Sequence, residues 1–89
     1  MSAELELRRL VERWQQLPLD QALSRMPVVR PVVQALADAV AEREGRPPVA
    51  VPDLGPGVVM DQLTVMVFDA TRSGFDPSEE LSGLRRALP

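Results

Sequence analysis

The chain has 89 residues, of which 45% are hydrophobic and 26% are charged, and its formal net charge is −3. This length suits one small domain with a single core, so we expect one domain over residues 1–89. The absence of cysteine excludes disulfides and thiolate metal sites. No apolar run approaches the roughly 18 residues that a membrane-spanning helix needs, so we expect no membrane span.

Several residue types are missing altogether. The chain has no lysine, histidine, tyrosine, cysteine, asparagine or isoleucine, whereas alanine, valine, leucine, proline and arginine are abundant. Because the missing types have mostly AT-rich codons, the composition indicates a high-GC bacterium. Residues 1–9 lack the apolar core of a signal peptide, and we therefore expect a cytoplasmic protein.

The missing residue types also exclude most catalytic chemistry. Without histidine, cysteine and lysine there is no Ser–His or Cys–His nucleophile, no Schiff base, no P-loop and no zinc site of the usual kind. Paired carboxylates remain, but Asp61 and Asp69 would be separated by about 12 Å of helical rise. Residues 54–58 resemble a phosphate-binding glycine loop only superficially, because Pro56 removes a backbone donor. We expect no enzyme activity, no catalytic residue, no metal and no cofactor.

The first half of the chain predicts helices separated by prolines. Ser2 is a good N-cap for a first helix, which Pro18 should end. A short second helix should begin at Leu19 or Asp20 and close at Pro27. The apolar residues of the first helix recur at helical spacing. They are Leu7, Leu10, Val11, Trp14 and Leu17.

The third helix should begin near Pro31, which is tolerated in a first turn, and end at Gly45, which suits the left-handed C′ position. Its predicted buried face consists of Val32, Val33, Leu36, Ala39 and Val40. Residues 45–57, here named the connector, are too rich in proline and glycine for a helix or a central strand. We expect the connector to run extended, with Val49, Val51 and Leu54 against the body of the domain.

The segment 56–70 is the most apolar stretch of the chain, and we expect the other elements to pack around it. Helical winding places one set of apolar residues on a single side. They are Val59, Leu63, Met66, Val67 and Ala70. Val58, Met60, Val65 and Phe68 widen this face, which suggests burial on more than one side. The alternative is a buried strand over residues 63–68, but no second strand of matching pattern is available to pair with it.

The last segment predicts a short helix. Asp76 can cap it, Pro77 suits its first position, and Glu79 can reach back to the cap. The chain is therefore predicted to be all-α, with four or five helices and a proline-rich extended connector at 45–57.

The leading functional hypothesis is a non-enzymatic protein–protein interaction module that forms a homodimer. Apolar residues outside the main helical face would otherwise be exposed, which is typical of an interface. The predicted interface residues are Val58, Val65, Phe68, Val49 and Val51.

One alternative is a nucleic-acid binder, which the acidic net charge disfavours. It would use Arg8, Arg9, Arg13, Arg85 and Arg86. The other alternative is a protein that binds a small apolar ligand between its helices.

Overall fold

The computed structural model describes residues 2–89, and within this range all regular secondary structure is helical. The four helices are α1 (Ala3–Gln16), α2 (Leu19–Arg43), α3 (Val59–Arg72) and α4 (Ser78–Ala87). The predicted all-α class is therefore confirmed. The segment 63–68 lies inside α3, so the alternative strand is excluded.

The boundaries of α1 follow the signals in the sequence. The Ser2 hydroxyl accepts a hydrogen bond from the backbone N–H of Leu5 at 3.3 Å, so Ser2 is the N-cap, as predicted. The helix ends at Gln16, two residues before Pro18. Leu10 and Trp14 are buried, and the other members of the predicted apolar stripe are half-buried against the same core.

The predicted break at Pro27 is wrong. Leu19–Arg43 form one 25-residue helix that contains both Pro27 and Pro31. Each proline removes one helical hydrogen bond, but the residues four positions earlier, Leu23 and Pro27, are exposed, so water can satisfy their carbonyls. The opposite side of the helix is buried and holds the helical conformation in place. This side includes Met26, Val29, Val33, Leu36 and Val40.

Two pairs of helices form the domain. Helix α2 packs against α3, α1 packs against α4, and smaller contacts join α2 to α4 and α1 to α3. The side chains between the helices form one core cluster. Its buried members are Leu10, Trp14, Ala22, Met26, Val29, Val33, Leu36, Val40, Val59, Met60, Leu63, Val67, Ala70, Leu81, Leu84 and Leu88.

The two sides of α3 have different environments. The inner side lies in the core as predicted, except that Met66 is only half-buried. Met60 is also buried, but Val58, Val65 and Phe68 are exposed. The idea that α3 is buried on more than one side within its own chain is therefore wrong.

Helix α4 starts one residue later than predicted. Pro77 is the N-cap residue, and Asp76 accepts hydrogen bonds from the backbone N–H of Ser78 at 3.0 Å and from the Ser78 hydroxyl at 2.6 Å. Among the described residues, Glu79 does not bond back to the cap. Helix α4 is joined to α1 by an ion pair between Arg85 and Glu6, and the side chain of Glu6 is only 7% exposed.

Candidate functional site

A surface groove of about 450 Å³ lies between the connector, the C-terminal half of α2 and α3. Its walls are largely apolar, with charged groups from both α3 and the connector along them. The lining residues are Ala37, Val40, Ala41, Arg46, Val49, Ala50, Val51, Pro52, Asp61, Gln62, Val65, Met66 and Asp69. The groove therefore joins two of the segments that the sequence marked as candidate interface.

Gln34 of α2 holds the connector through its side-chain amide. The amide nitrogen donates to the Val49 carbonyl at 3.0 Å, and the amide oxygen accepts from the Val51 N–H at 2.8 Å. One side chain thus satisfies two backbone groups of the connector, as a neighbouring strand would. The amide nitrogen also donates to the Asp38 carboxylate at 2.8 Å, which fixes its orientation.

Three further side chains bind connector carbonyls. Gln62 of α3 donates to Pro52 at 3.0 Å, and Arg30 of α2 donates to Val51 at 3.3 Å. The indole N–H of Trp14 donates to Pro56 at 2.9 Å. Since α1, α2 and α3 each contribute a donor, the connector lies fixed on the body of the domain.

The packing of the connector's own apolar side chains differs from the prediction. Val51 is half-buried and packs against the core, as expected. Val49 is 71% exposed and Leu54 is also exposed, so the expectation that these two lie against the body is wrong. The connector is held mainly by hydrogen bonds, and it presents apolar side chains outward.

The structure brings three of the five predicted interface residues together in the groove and places the other two outside it. Val49, Val51 and Val65 line the groove together. Val58 and Phe68 lie outside the groove, but they follow Val65 along the exposed side of α3 at helical spacing. Val65 is thus the residue that links the two parts.

The exposed side of α3, with its N-cap residue Val58, carries a row of five residues, named here the outer stripe: Val58, Asp61, Val65, Phe68 and Arg72. Val65 is 52% exposed and Phe68 is 61% exposed. The Arg72 guanidinium lies over the Phe68 ring, 5.5 Å from its centroid. Within residues 2–89, Asp61 forms no hydrogen bond or ion pair, and Arg72 forms no ion pair.

Sequence reasoning missed the residues that position the connector. Gln34 and Arg30 lie on α2, whose continuity past Pro27 was not predicted, and Gln62 lies on α3. The available signal was an amide and a guanidinium one turn apart, facing a proline-rich segment whose carbonyls need donors.

The arginines of the nucleic-acid hypothesis converge only in part. Arg9, Arg13 and Arg85 line a second groove, between α1 and α4, together with Glu12, Gln16, Leu10 and Leu88. Arg8 and Arg86 do not line it. Arg13 donates to the Pro89 carbonyl, and Arg85 is engaged by Glu6 at 3.2 Å. These contacts already use part of the positive charge.

Other kinds of site have little support in the described part of the chain. Residues 2–89 contain no group of three or more acidic, histidine or cysteine side chains that could hold a metal. No helix in the same range is both long and apolar enough to cross a membrane.

Comparison with known proteins gives no match, whether to a protein-family model, to a curated protein or to a solved structure.

Proposed function

We propose that this protein is a non-enzymatic interaction module that self-associates as a homodimer through α3 and the connector. The observation that carries the proposal is the outer stripe of α3, where Val65 is 52% exposed and Phe68 is 61% exposed. Both side chains lie outward on a helix whose other side already fills the core. Nothing in the core of the chain itself requires apolar residues at these positions.

Burial of this surface would stabilise an assembly. Apolar surface removed from water contributes about 25 cal/mol per Å², and large exposed apolar patches usually mark interfaces. The connector adds the exposed Val49 on one flank of the groove. In a homodimer with twofold symmetry each such residue is buried twice, so a small patch has a doubled effect.

The direct test is light scattering after size-exclusion chromatography over a wide range of protein concentration. We expect twice the monomer mass for the wild type at high concentration, and monomers for Val65→Asp and Phe68→Asp. Leu19→Asp is the matched control, because Leu19 is an equally exposed apolar residue at the start of α2. A wild type that stays monomeric throughout would refute the homodimer, and a control that dissociates like the other two would refute the assignment of the interface to α3.

A second candidate function is binding of a nucleic acid at the groove between α1 and α4. It is favoured by the meeting of Arg9, Arg13 and Arg85 there, and opposed by the net charge of −3 and by Glu12 in the same groove. A salt-dependent affinity for duplex DNA that Arg13→Glu abolishes would support it. The third possibility is a small apolar ligand, for which the largely apolar groove between α2, α3 and the connector is the available site.

We also propose that the module acts in the cytoplasm of a high-GC bacterium. The support is compositional: the chain has no cysteine, and it lacks lysine, asparagine, isoleucine and tyrosine, whose codons are AT-rich. Fractionation of the native host with an antibody against the chain tests the location.

A further inference from the structure

We propose that the second copy docks on the outer stripe with its α3 antiparallel, about a twofold axis level with the midpoint between Met66 and Val67. This inference rests on the proposed homodimer and specifies its register. In this register Val65 faces Phe68 of the second copy, and Asp61 faces Arg72 of the second copy.

The first support is the spacing of the outer stripe. Its five residues follow one another at alternating intervals of three and four, which is the spacing of the contact seam in a coiled coil. This spacing keeps one narrow strip of a helix facing a partner helix along its whole length. The inner side of α3 is occupied by the core, so the outer stripe is a second, independent seam on the same helix.

The second support is charge. Arg72 stands at one end of the stripe and Asp61 near the other end, and within residues 2–89 neither forms an ion pair. The antiparallel register pairs them twice, once at each end of the contact. A parallel arrangement would place Asp61 against Asp61 and Arg72 against Arg72. An antiparallel arrangement centred on Val65 would place Asp61 against Asp69, which repels as well.

The third support is the match of the apolar residues. The register that pairs the opposite charges also places Val65 of each copy against Phe68 of the other. This gives two layers of contact between an aliphatic and an aromatic side chain at the centre of the interface. The Arg72 guanidinium already lies 5.5 Å from the Phe68 ring centroid, so it can remain stacked on the ring while it pairs with Asp61 of the second copy. Charge and shape therefore select the same register.

The size of the contact sets the expected strength. A helix of 14 residues is about 21 Å long, so a contact made by α3 alone lies at the low end of interface sizes. We therefore expect a dissociation constant in the micromolar range or above, with the groove and the connector adding area at the edge.

The experiment is a charge exchange followed by sedimentation analysis of the intact chain. Asp61→Arg and Arg72→Asp should each weaken self-association by about tenfold or more, because each creates two like-charge contacts. The double variant Asp61→Arg/Arg72→Asp should recover most of the wild-type affinity. A 1:1 mixture of the two single variants should form heterodimers. Glu42→Arg, at an exposed position near the end of α2, is the matched control and should change little.

Cysteine cross-linking tests the register directly, because the chain has no native cysteine. Under oxidation, a mixture of Asp61→Cys and Arg72→Cys chains should form a mixed disulfide dimer. Each variant alone should not, since its two sulfurs would be about 16 Å apart along the helices. Cross-linking of either variant with itself, or a dimer indifferent to the charge exchange, would overturn the register while leaving the homodimer standing. A wild type that stays monomeric would overturn both.

Discussion

Two proline-containing stretches of this chain have opposite structures. Pro27 and Pro31 lie inside the continuous helix α2, whereas Pro47, Pro48 and Pro52 lie in the connector, which has no helix or strand. The difference lies in what surrounds each stretch. The α2 prolines have a fully apolar, buried side opposite them, while every residue from 42 to 50 is exposed. Buried packing on the opposite side therefore holds α2 helical across Pro27 and Pro31.

The cost of a proline inside a helix is about 3 kcal/mol, mainly from the lost hydrogen bond and a clash with the preceding turn. In α2 several buried side chains around the prolines can offset this cost, since each contributes roughly 1.5–3 kcal/mol on burial. In the connector Val51 is half-buried against the core, but Val49 and Leu54 are exposed. Hydrogen bonds from Gln34, Gln62 and Arg30 fix the backbone instead.

The largest expected effect comes from removing the packing beside Pro27. Met26→Ala should destabilise the domain by about 2–5 kcal/mol, because a buried side chain is replaced by a cavity next to a proline. Leu23→Ala, one turn earlier and exposed, should cost less than about 1 kcal/mol. Urea unfolding followed by circular dichroism measures both. Equal losses would mean that packing does not hold the proline-containing turn.

The next effect concerns the connector. Gln34→Ala should destabilise by about 1–3 kcal/mol, because it removes two hydrogen bonds to the connector backbone. Hydrogen exchange at the Val51 amide should accelerate in the same variant, because its acceptor is lost. Gln21→Ala, at an exposed position of α2, is the control and should leave that amide protected. An unchanged exchange rate would show that Gln34 does not hold the connector.

Replacing a proline should change the stability of the domain in opposite directions in the two stretches. Pro27→Ala should stabilise by about 1–2 kcal/mol, because the helix regains a donor and loses a clash. Pro52→Ala should destabilise by about 0.5–1 kcal/mol, because it adds freedom to the unfolded chain without adding a bond. Thermal unfolding of the two variants and the wild type tests this contrast. The same sign for both would remove the distinction between the stretches.

The smallest expected effect concerns Asp76, which precedes Pro77 at the start of α4. The Ser78 hydroxyl, with the Ser78 N–H, holds the pKa of Asp76 below its ordinary value of 3.8. A carboxyl group whose pKa is lower in the folded state than in the unfolded state stabilises the fold at pH values above its ordinary pKa. This stabilisation is lost as the pH falls through the lowered pKa. We expect the stability of the wild type, relative to Asp76→Asn, to fall as the pH drops below 3.8. Parallel stability curves for the two proteins would contradict this.

Much of the fold could be predicted from local signals. Three signals each depend on only one or two helical turns: the N-cap at Ser2, the C′ position of Gly45 and the apolar periodicity of α3. The structure agrees with all three, and Gly45 has a φ of 69°, in the left-handed region. The continuity of α2 could not be predicted, because it depends on packing against α3, a segment distant in sequence. Gln34 could not be identified for the same reason, since its partners Val49 and Val51 follow it by 15 and 17 residues.

The candidate surface was predicted in composition but not in arrangement. Val58, Val65 and Phe68 stood out because they exceed one helical face. Their alignment with Asp61 and Arg72 becomes informative only once the opposite side of α3 is known to be buried. The ion pair between Glu6 and Arg85 was missed because the two residues are 79 positions apart.

The bond from Trp14 to the Pro56 carbonyl has a practical consequence. The chain contains one tryptophan and no tyrosine, so nearly all of its near-ultraviolet emission arises from this single indole. That indole is buried in α1 and is hydrogen-bonded to the last part of the connector. Lifting of the connector would break the bond and let water reach the ring, shifting the emission to longer wavelength. The protein thus carries its own optical probe of connector attachment, readable without any label.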